Sequence, residues 1–412
     1  MTGMPVRTKS QLSVGVVLGV TQTIGYGSLY YAYGVLTRQM ADDTGYSLTA
    51  IYGFFSLALL ASGVAAPFAG RAMDRFNAAR VMALGSLVSG ALLAIWALAP
   101  GKFAFAIFVV LSQMVSVLVL YEAAFVVAAR LAPGNARRVI TGITLIAGFA
   151  STIFWPLTTW LSDFLTWREI YLCYAGLNIL VCAPLHLWLQ AGGRRIAVAR
   201  GNGSVAGERK AAALSDERLE RKVFLLLLAA FSANAYVISA VHLHLIGLLG
   251  ALGLGASAAL VGALIGPSQV LGRIVEFTAG ERLSITSVAI ASTAALPVGL
   301  AMLMAGAGYL PAALGFAVVF GLGQGLSYIV RGVLPLHVFG AEGYGALMGK
   351  FNAARLFVSA GAPMITAVFF ERAGAFAALA TIMLVALAGV ASLAVVPPLL
   401  REGKSAGGAS SS

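Results

Sequence analysis

Residues 70 to 80 read Gly70-Arg71-Ala72-Met73-Asp74-Arg75-Phe76-Asn77-Ala78-Ala79-Arg80. This short charged turn separates two long apolar runs, 51–69 and 81–99, neither of which suits a soluble surface. Its glycine permits a close helix approach or a sharp exit, and its aspartate can accept from the backbone N–H groups of a neighbouring helix start. Arginines in such a turn favour the cytoplasmic side of a membrane. The pattern G-R-x-x-D-x5-R recurs as G-R-x-x-E-x5-R: Gly70, Asp74 and Arg80 correspond to Gly272, Glu276 and Arg282, all 202 positions on. A motif repeated at about half the chain length predicts two homologous halves.

The first copy resembles the loop between helices 2 and 3 of the major facilitator superfamily, whose pattern is G-x-x-x-D-R-x-G-R-[RK]. It departs from that pattern at Asn77, where the family carries glycine, and at Ala78 and Ala79, where the family carries basic residues. Twelve apolar segments covering nearly the whole chain suit the same family. The resemblance implies an all-α membrane protein of twelve transmembrane helices in two pseudo-symmetric six-helix bundles. It also implies a binding site at mid-membrane between the halves, lined by helices 1, 4, 7 and 10. On this basis residues 1–190 form the N-terminal bundle, 191–222 a cytoplasmic linker, and 223–412 the C-terminal bundle with a short tail. The second part of the linker, 214–222, is predicted to form a short surface helix.

Composition alone excludes a soluble domain. Of 412 residues, 60% are hydrophobic and only 10% charged, against about 25% charged in soluble domains. Mean hydropathy is +0.92. The net charge of +12 reflects topology, because basic residues concentrate in cytoplasmic loops. With both termini inside, 21 of the 27 lysines and arginines fall on the cytoplasmic side and four outside. That asymmetry sets the orientation, and the location expected is a cell inner membrane. Nucleic acid is an unsuitable partner, since no basic patch is interleaved with aromatic residues. Cys173 and Cys182 lie nine apart in one apolar segment, on nearly opposite helix faces, which disfavours a disulfide between them. No phosphate-binding loop, nucleophile elbow or Cys/His cluster is present, so neither an enzyme, a cofactor nor a metal site is expected.

Polar side chains inside apolar helices mark the candidate substrate site, because burying them in lipid is costly. Gln22, Tyr26, Tyr30 and Tyr33 are spaced 4, 4 and 3, placing them on one face of the first helix. They form either an aromatic cavity wall or packing tyrosines. Gln324, Tyr328 and Arg331 share a face of the tenth helix, after the close-packing glycines Gly321, Gly323 and Gly325. Arg331 anchors the helix end by snorkelling, reaches up to an anion, or closes an inner gate. Arg355, in the eleventh helix, has three readings: substrate contact through its donor fork, an ion pair with Glu122, or snorkelling. Glu122 is the clearest intramembrane acid and a candidate proton carrier, although on a straight helix it lies opposite Gln113. Asn234 and His242 lie eight apart near one face of the seventh helix, and His242 is a second candidate for proton coupling. The motif residues Gly70, Arg71, Asp74, Arg75, Arg80, Gly272, Arg273 and Glu276 are assigned to gating.

The stretches 57–70 and 121–130 also resemble bacterial carriers of the monocarboxylate and oxalate–formate branch. That branch is expected to hold its substrate with an arginine of helix 8. Arg273 lies on that helix, but the repeat assigns it to the cytoplasmic gate. The function expected is secondary active transport of a small organic anion such as a monocarboxylate, proton-coupled, by a monomer in the lipid bilayer. The alternative is proton-driven efflux of drugs or metalloids, against which the fifth helix lacks the drug-antiporter pattern G-x-x-x-G-P-x-x-G-G. A transporter-like sensor or assembly protein is the third reading, distinguished only by absence of transport.

Overall fold

The computed structural model describes residues 6–199 and 217–401, with side chains for 12–191, 217–280 and 282–401. No strand occurs among the described residues. Eleven of their helices are long and apolar enough to cross a membrane. The last of these, Tyr344–Arg401, runs for 58 residues, whereas one crossing needs about 20. Gly374 interrupts it at φ 82°, a conformation open to glycine because it has no Cβ. Divided there, the chain makes twelve crossings, as its apolar segments predict.

The chain falls into two compact units, Met1–Val205 with Ala341–Ala353, and Ala206–Gly340 with Ala354–Ser412. In the first unit, crossing one comprises α1 (Val6–Tyr26), a π-turn (Gly27–Tyr31) and α2 (Ala32–Thr44). Crossings two and three are α3 (Leu48–Arg75) and α4 (Ala78–Leu98). Crossing four is broken into α5 (Lys102–Ser116) and α6 (Tyr121–Leu131), and crossing five into α7 (Ala136–Ala147) and α8 (Ala150–Ser162). Crossing six comprises α9 (Trp167–Leu177), a second π-turn (Asn178–Cys182) and α10 (Ala183–Ala199). The second unit holds α11 (Glu217–Ala251), α12 (Ala258–Ala279), α13 (Ile285–Ala305), α14 (Leu310–Phe339) and most of α15 (Tyr344–Ala394). Glu217 already belongs to α11, so the helix predicted for 214–222 is the start of that longer one. Residues 200–216 of the predicted linker lie outside the described residues.

Caps mark several helix starts. Ser47 accepts from Ala50 N, Asn77 from Arg80 N, and Ser284 from Ser287 N. Asn77, one of the departures from the family pattern, is thus the N-cap of α4, a position that favours asparagine over most residues. The core of the first unit is aromatic, with Tyr33, Trp96, Phe105, Trp167, Tyr171 and Tyr174 buried together. That of the second is largely aliphatic, around Leu245, Leu296, Leu300, Phe316, Phe320 and Ile382. There α14 packs close through its glycines. A Cβ on Gly321 would lie 2.7 Å from Ile265 O, and one on Gly325 only 2.2 Å from Gln269 O, both on α12. Gly323 faces the other way, where a Cβ would lie 2.7 Å from Ser292 O of α13.

Candidate substrate and gating sites

The breaks in the first unit are bridged by side chains from neighbouring crossings. Between α5 and α6 the chain leaves the helical path at Val117–Leu120, and Gln22 of α1 donates its amide to Val119 O at 2.6 Å. In return, Gln113 of α5 donates to Leu29 O inside the π-turn of crossing one. The two π-turns are linked to each other, with Asn178 Nδ2 donating to Ser28 Oγ at 3.0 Å. Broken backbone at membrane depth is stable only where other protein groups satisfy it, and these amides do so.

The same breaks decide which tyrosines gather. A π-turn holds one more residue than an α-turn, so residues beyond it move round the helix by one position. Tyr26 lies 4.6 Å from the Tyr121 ring and 6.3 Å from Tyr31, and Tyr31 lies 5.7 Å from Trp155 of α8. Tyr30 sits beside this group, 5.5 Å from Tyr31 and 5.4 Å from Phe55. Tyr33 does not join the predicted stripe. It is buried in the core, donates to Ile51 O at 2.7 Å and stacks on Phe55. Gln22 is likewise fully buried, and its amide is engaged with Val119. The observed wall is therefore Tyr26, Tyr30, Tyr31, Tyr121 and Trp155, drawn from crossings one, four and five. Tyr31 escaped sequence analysis because an α-helical period puts it on another face.

Glu122 is 7% exposed and occupies the first turn of α6. The break in crossing four gives that turn a helix N-terminus inside the unit, where peptide dipoles attract anions. It also removes the obstacle of a straight helix, on which Glu122 and Gln113 take opposite faces. Glu122 lines a cavity of about 10 Å³ with Gly70, Met73, Gly345, Met348 and Asn352, roughly the space of one water.

Around this cavity the first motif copy is tightly built. Asp74 accepts from Gly345 N at 3.0 Å and Ala346 N at 2.6 Å, amides of the first turn of α15. It also accepts from Arg130 Nη2 at 2.9 Å, and Arg130 Nη1 donates to Phe76 O at 3.1 Å. A Cβ on Gly70 would fall 2.2 Å from Gly345 O, so glycine is required for the contact. These contacts account for the grouping of Ala341–Ala353 with the first unit. Arg71, Arg75 and Arg80 of the same motif are exposed.

The second copy sits differently. Gly272, Arg273 and Glu276 all lie inside α12, with Arg273 3% and Glu276 2% exposed. Arg273 Cζ stands 5.0 Å from the centre of the Tyr328 ring, and Arg331 Cζ, 7% exposed, stands 5.1 Å from the same ring. Two buried guanidinium groups thus share one tyrosine. Nearby, His242 Nε2 donates to Gln324 Oε1 at 3.1 Å. An amide oxygen only accepts, so Nε2 carries the hydrogen. Asn234 donates to Thr293 Oγ1 at 3.3 Å, while its buried Oδ1 has no hydrogen-bond partner among the described residues. Arg355 is half-buried on α15. His244 donates to Pro363 O at 2.9 Å, apart from the His242 contact. Among the described residues no group of three or more His, Cys, Asp or Glu could hold a metal ion.

His186 escaped sequence analysis altogether. It is 1% exposed, with Nδ1 3.0 Å from Ser86 Oγ and Nε2 3.0 Å from Thr21 Oγ1. Its only signal is a lone imidazole in the otherwise apolar first turns of α10.

Twelve crossings, polar side chains held inside both units and helices broken at membrane depth define a multi-pass membrane transporter that acts on small molecules, not an enzyme. The chain belongs to the Major Facilitator Superfamily, whose family model matches residues 18–363. Among solved structures it is similar to the human organic anion transporter MFSD10 (TETRAN). The TM-score is 0.67 at 15% identity, covering 95% of this chain and 100% of that one. It is also similar to the proton:xylose symporter XylE bound to 6-bromo-6-deoxy-D-glucose. There the TM-score is 0.66 at 12% identity, covering 94% of this chain and 95% of that one. Identities this low speak to the fold. No curated protein matches the sequence.

Proposed function

We propose that this secondary transporter moves a small organic anion such as a monocarboxylate by alternating access, coupled to protons. The supporting observation is the pair of buried guanidiniums, Arg273 and Arg331, set 5.0 and 5.1 Å from the Tyr328 ring. α12 carries buried Arg273 and Glu276 and α14 carries buried Arg331, and two guanidiniums beside one ring suit a carboxylate. A guanidinium binds a carboxylate through two parallel donors. Arg355 adds a third cation in the second unit. The aromatic wall of the first unit offers apolar contact and hydroxyl donors of its own. The structural neighbours are compatible with this class, one being an organic anion transporter and the other a proton:xylose symporter. On this reading Glu122 and His242 carry protons, and the Asp74 contacts with α15 close one side. On this reading the protein sits in a cell inner membrane with both termini cytoplasmic, the orientation that its basic loops favour.

The aromatic wall also supports the second reading, efflux of aromatic or apolar compounds, since Tyr26, Tyr31, Tyr121 and Trp155 offer ring faces rather than charge. A thermal-shift screen of the purified chain separates the two, because a ligand bound only by the folded state raises its melting point. Carboxylates should stabilise the wild type and lose that effect in Arg331→Gln and Arg355→Gln. Stabilisation by amines, sugars, metalloids or hydrophobic cations, with none by carboxylates, overturns the anion assignment.

A further inference from the structure

One face of α3 joins exposed apolar side chains to two exposed arginines. Val64, Phe68, Arg71 and Arg75 are spaced 4, 3 and 4, share a helix face and are all exposed. Val64 and Phe68 are 56% and 63% exposed. With Met114, Val115 and Leu118 of crossing four, they line an open groove of about 470 Å³ whose walls are aliphatic and aromatic. The groove ends at charge. Arg71 Cζ lies 4.7 Å from the centre of the Phe68 ring that forms its wall, and Arg75 occupies the last turn of α3. Among the described residues, neither Arg71 nor Arg75 makes an ion pair or hydrogen bond, whereas Arg130 at the same end is tied to Asp74.

We propose that this groove is a binding site for a membrane phospholipid with an anionic headgroup. The acyl chain lies along Val64 and Phe68, and the phosphate sits on Arg71 and Arg75. The dimensions suit one leaflet. Leu57, also exposed at 54%, lies fourteen residues before Arg71, or about 21 Å along the helix. The hydrocarbon half-thickness is about 15 Å. Charge supplies the selectivity: a guanidinium already seated on a ring keeps its edge donors available for phosphate. Two arginines at a membrane surface attract anionic lipid over zwitterionic lipid by roughly fivefold each. The site stands apart from the residues assigned to substrate and does not depend on the substrate class.

The test is native mass spectrometry of the full-length chain. It is loaded with equal amounts of phosphatidylglycerol and phosphatidylcholine bearing identical acyl chains. The wild type should retain phosphatidylglycerol preferentially. The double variant Arg71→Gln, Arg75→Gln should lose that preference at least fivefold. Ala65→Trp, which fills the groove and leaves both arginines, should lower retention of both lipids, and it serves alone if the arginine variant does not fold. Equal retention of the two lipids by the wild type overturns the proposal, as does a preference that survives the double substitution. Displacement of the lipid by glycerol phosphate, which has no acyl chain, also overturns it by showing that the groove plays no part.

Discussion

Gln22 and Val119 are ninety-seven residues apart, yet the side-chain amide of the first donates to the carbonyl of the second at 2.6 Å. Val119 lies in the break between α5 and α6 and is 4% exposed, so water does not serve its carbonyl. The glutamine substitutes for the helical N–H that the break removed. Replacing Gln22 with leucine keeps the volume and strands the carbonyl, at a cost of about 1–3 kcal/mol. Thermal unfolding in detergent should show a drop of several degrees. An unchanged melting point would mean that the break closes up when the amide is lost.

Gly325 and Gly361 make a matched pair. A Cβ at Gly325 meets Gln269 O at 2.2 Å, a backbone atom that cannot swing aside, whereas nothing lies within 4 Å of one at Gly361. Gly325→Ala should separate α14 from α12 and destabilise by about 1–3 kcal/mol or more. Gly361→Ala should be neutral or stabilising by up to about 1 kcal/mol, through better helix propensity. Equal melting points for the two variants would contradict the close packing.

Much of the fold was legible because apolar length and charge placement are local properties of the chain. Twelve segments, the 202-residue repeat and the turn at Gly70–Arg80 could all be read directly. What escaped was helix continuity. The run Val117-Leu118-Val119-Leu120 is as apolar as any helix interior, and its break is sustained by Gln22, a residue in another crossing. The π-turn at Gly27–Tyr31 hid in the same way, and it explains the site. Tyr33 turns into the core and Tyr31 takes its place on the wall, a shift that no 3.6-residue period contains. In α14, which stays continuous, the spacing that grouped Gln324, Tyr328 and Arg331 needed no such revision.

Asp74 combines an ion pair with two acceptor contacts at a helix start, on a side chain only 21% exposed. Asp74→Ala removes all three, and charge-assisted hydrogen bonds are each worth about 1.5–3 kcal/mol. The pair with Arg130, itself 34% exposed, contributes at the low end of that range. Asp74→Asn keeps one acceptor oxygen and should fall between wild type and alanine. Hydrogen exchange should rise first at the amides of Gly345 and Ala346. Unaltered protection there in Asp74→Ala would show that the glycine contacts alone hold the start of α15.

Glu122 sits beside that same contact, sharing its cavity with Gly70, Gly345 and Asn352. A carboxyl group there that gains and loses a proton changes the charge next to the start of α15. Glu122→Gln fixes the neutral form without changing the volume. If Glu122 carries the coupling proton, the variant should still exchange substrate across liposomes with equal pH on both sides. It should lose accumulation driven by a pH gradient. Gradient-driven accumulation at wild-type levels would move proton coupling elsewhere, with His242 the next group to test through His242→Gln. Loss of exchange as well as accumulation, in a variant that melts like the wild type, would assign Glu122 to the gate itself.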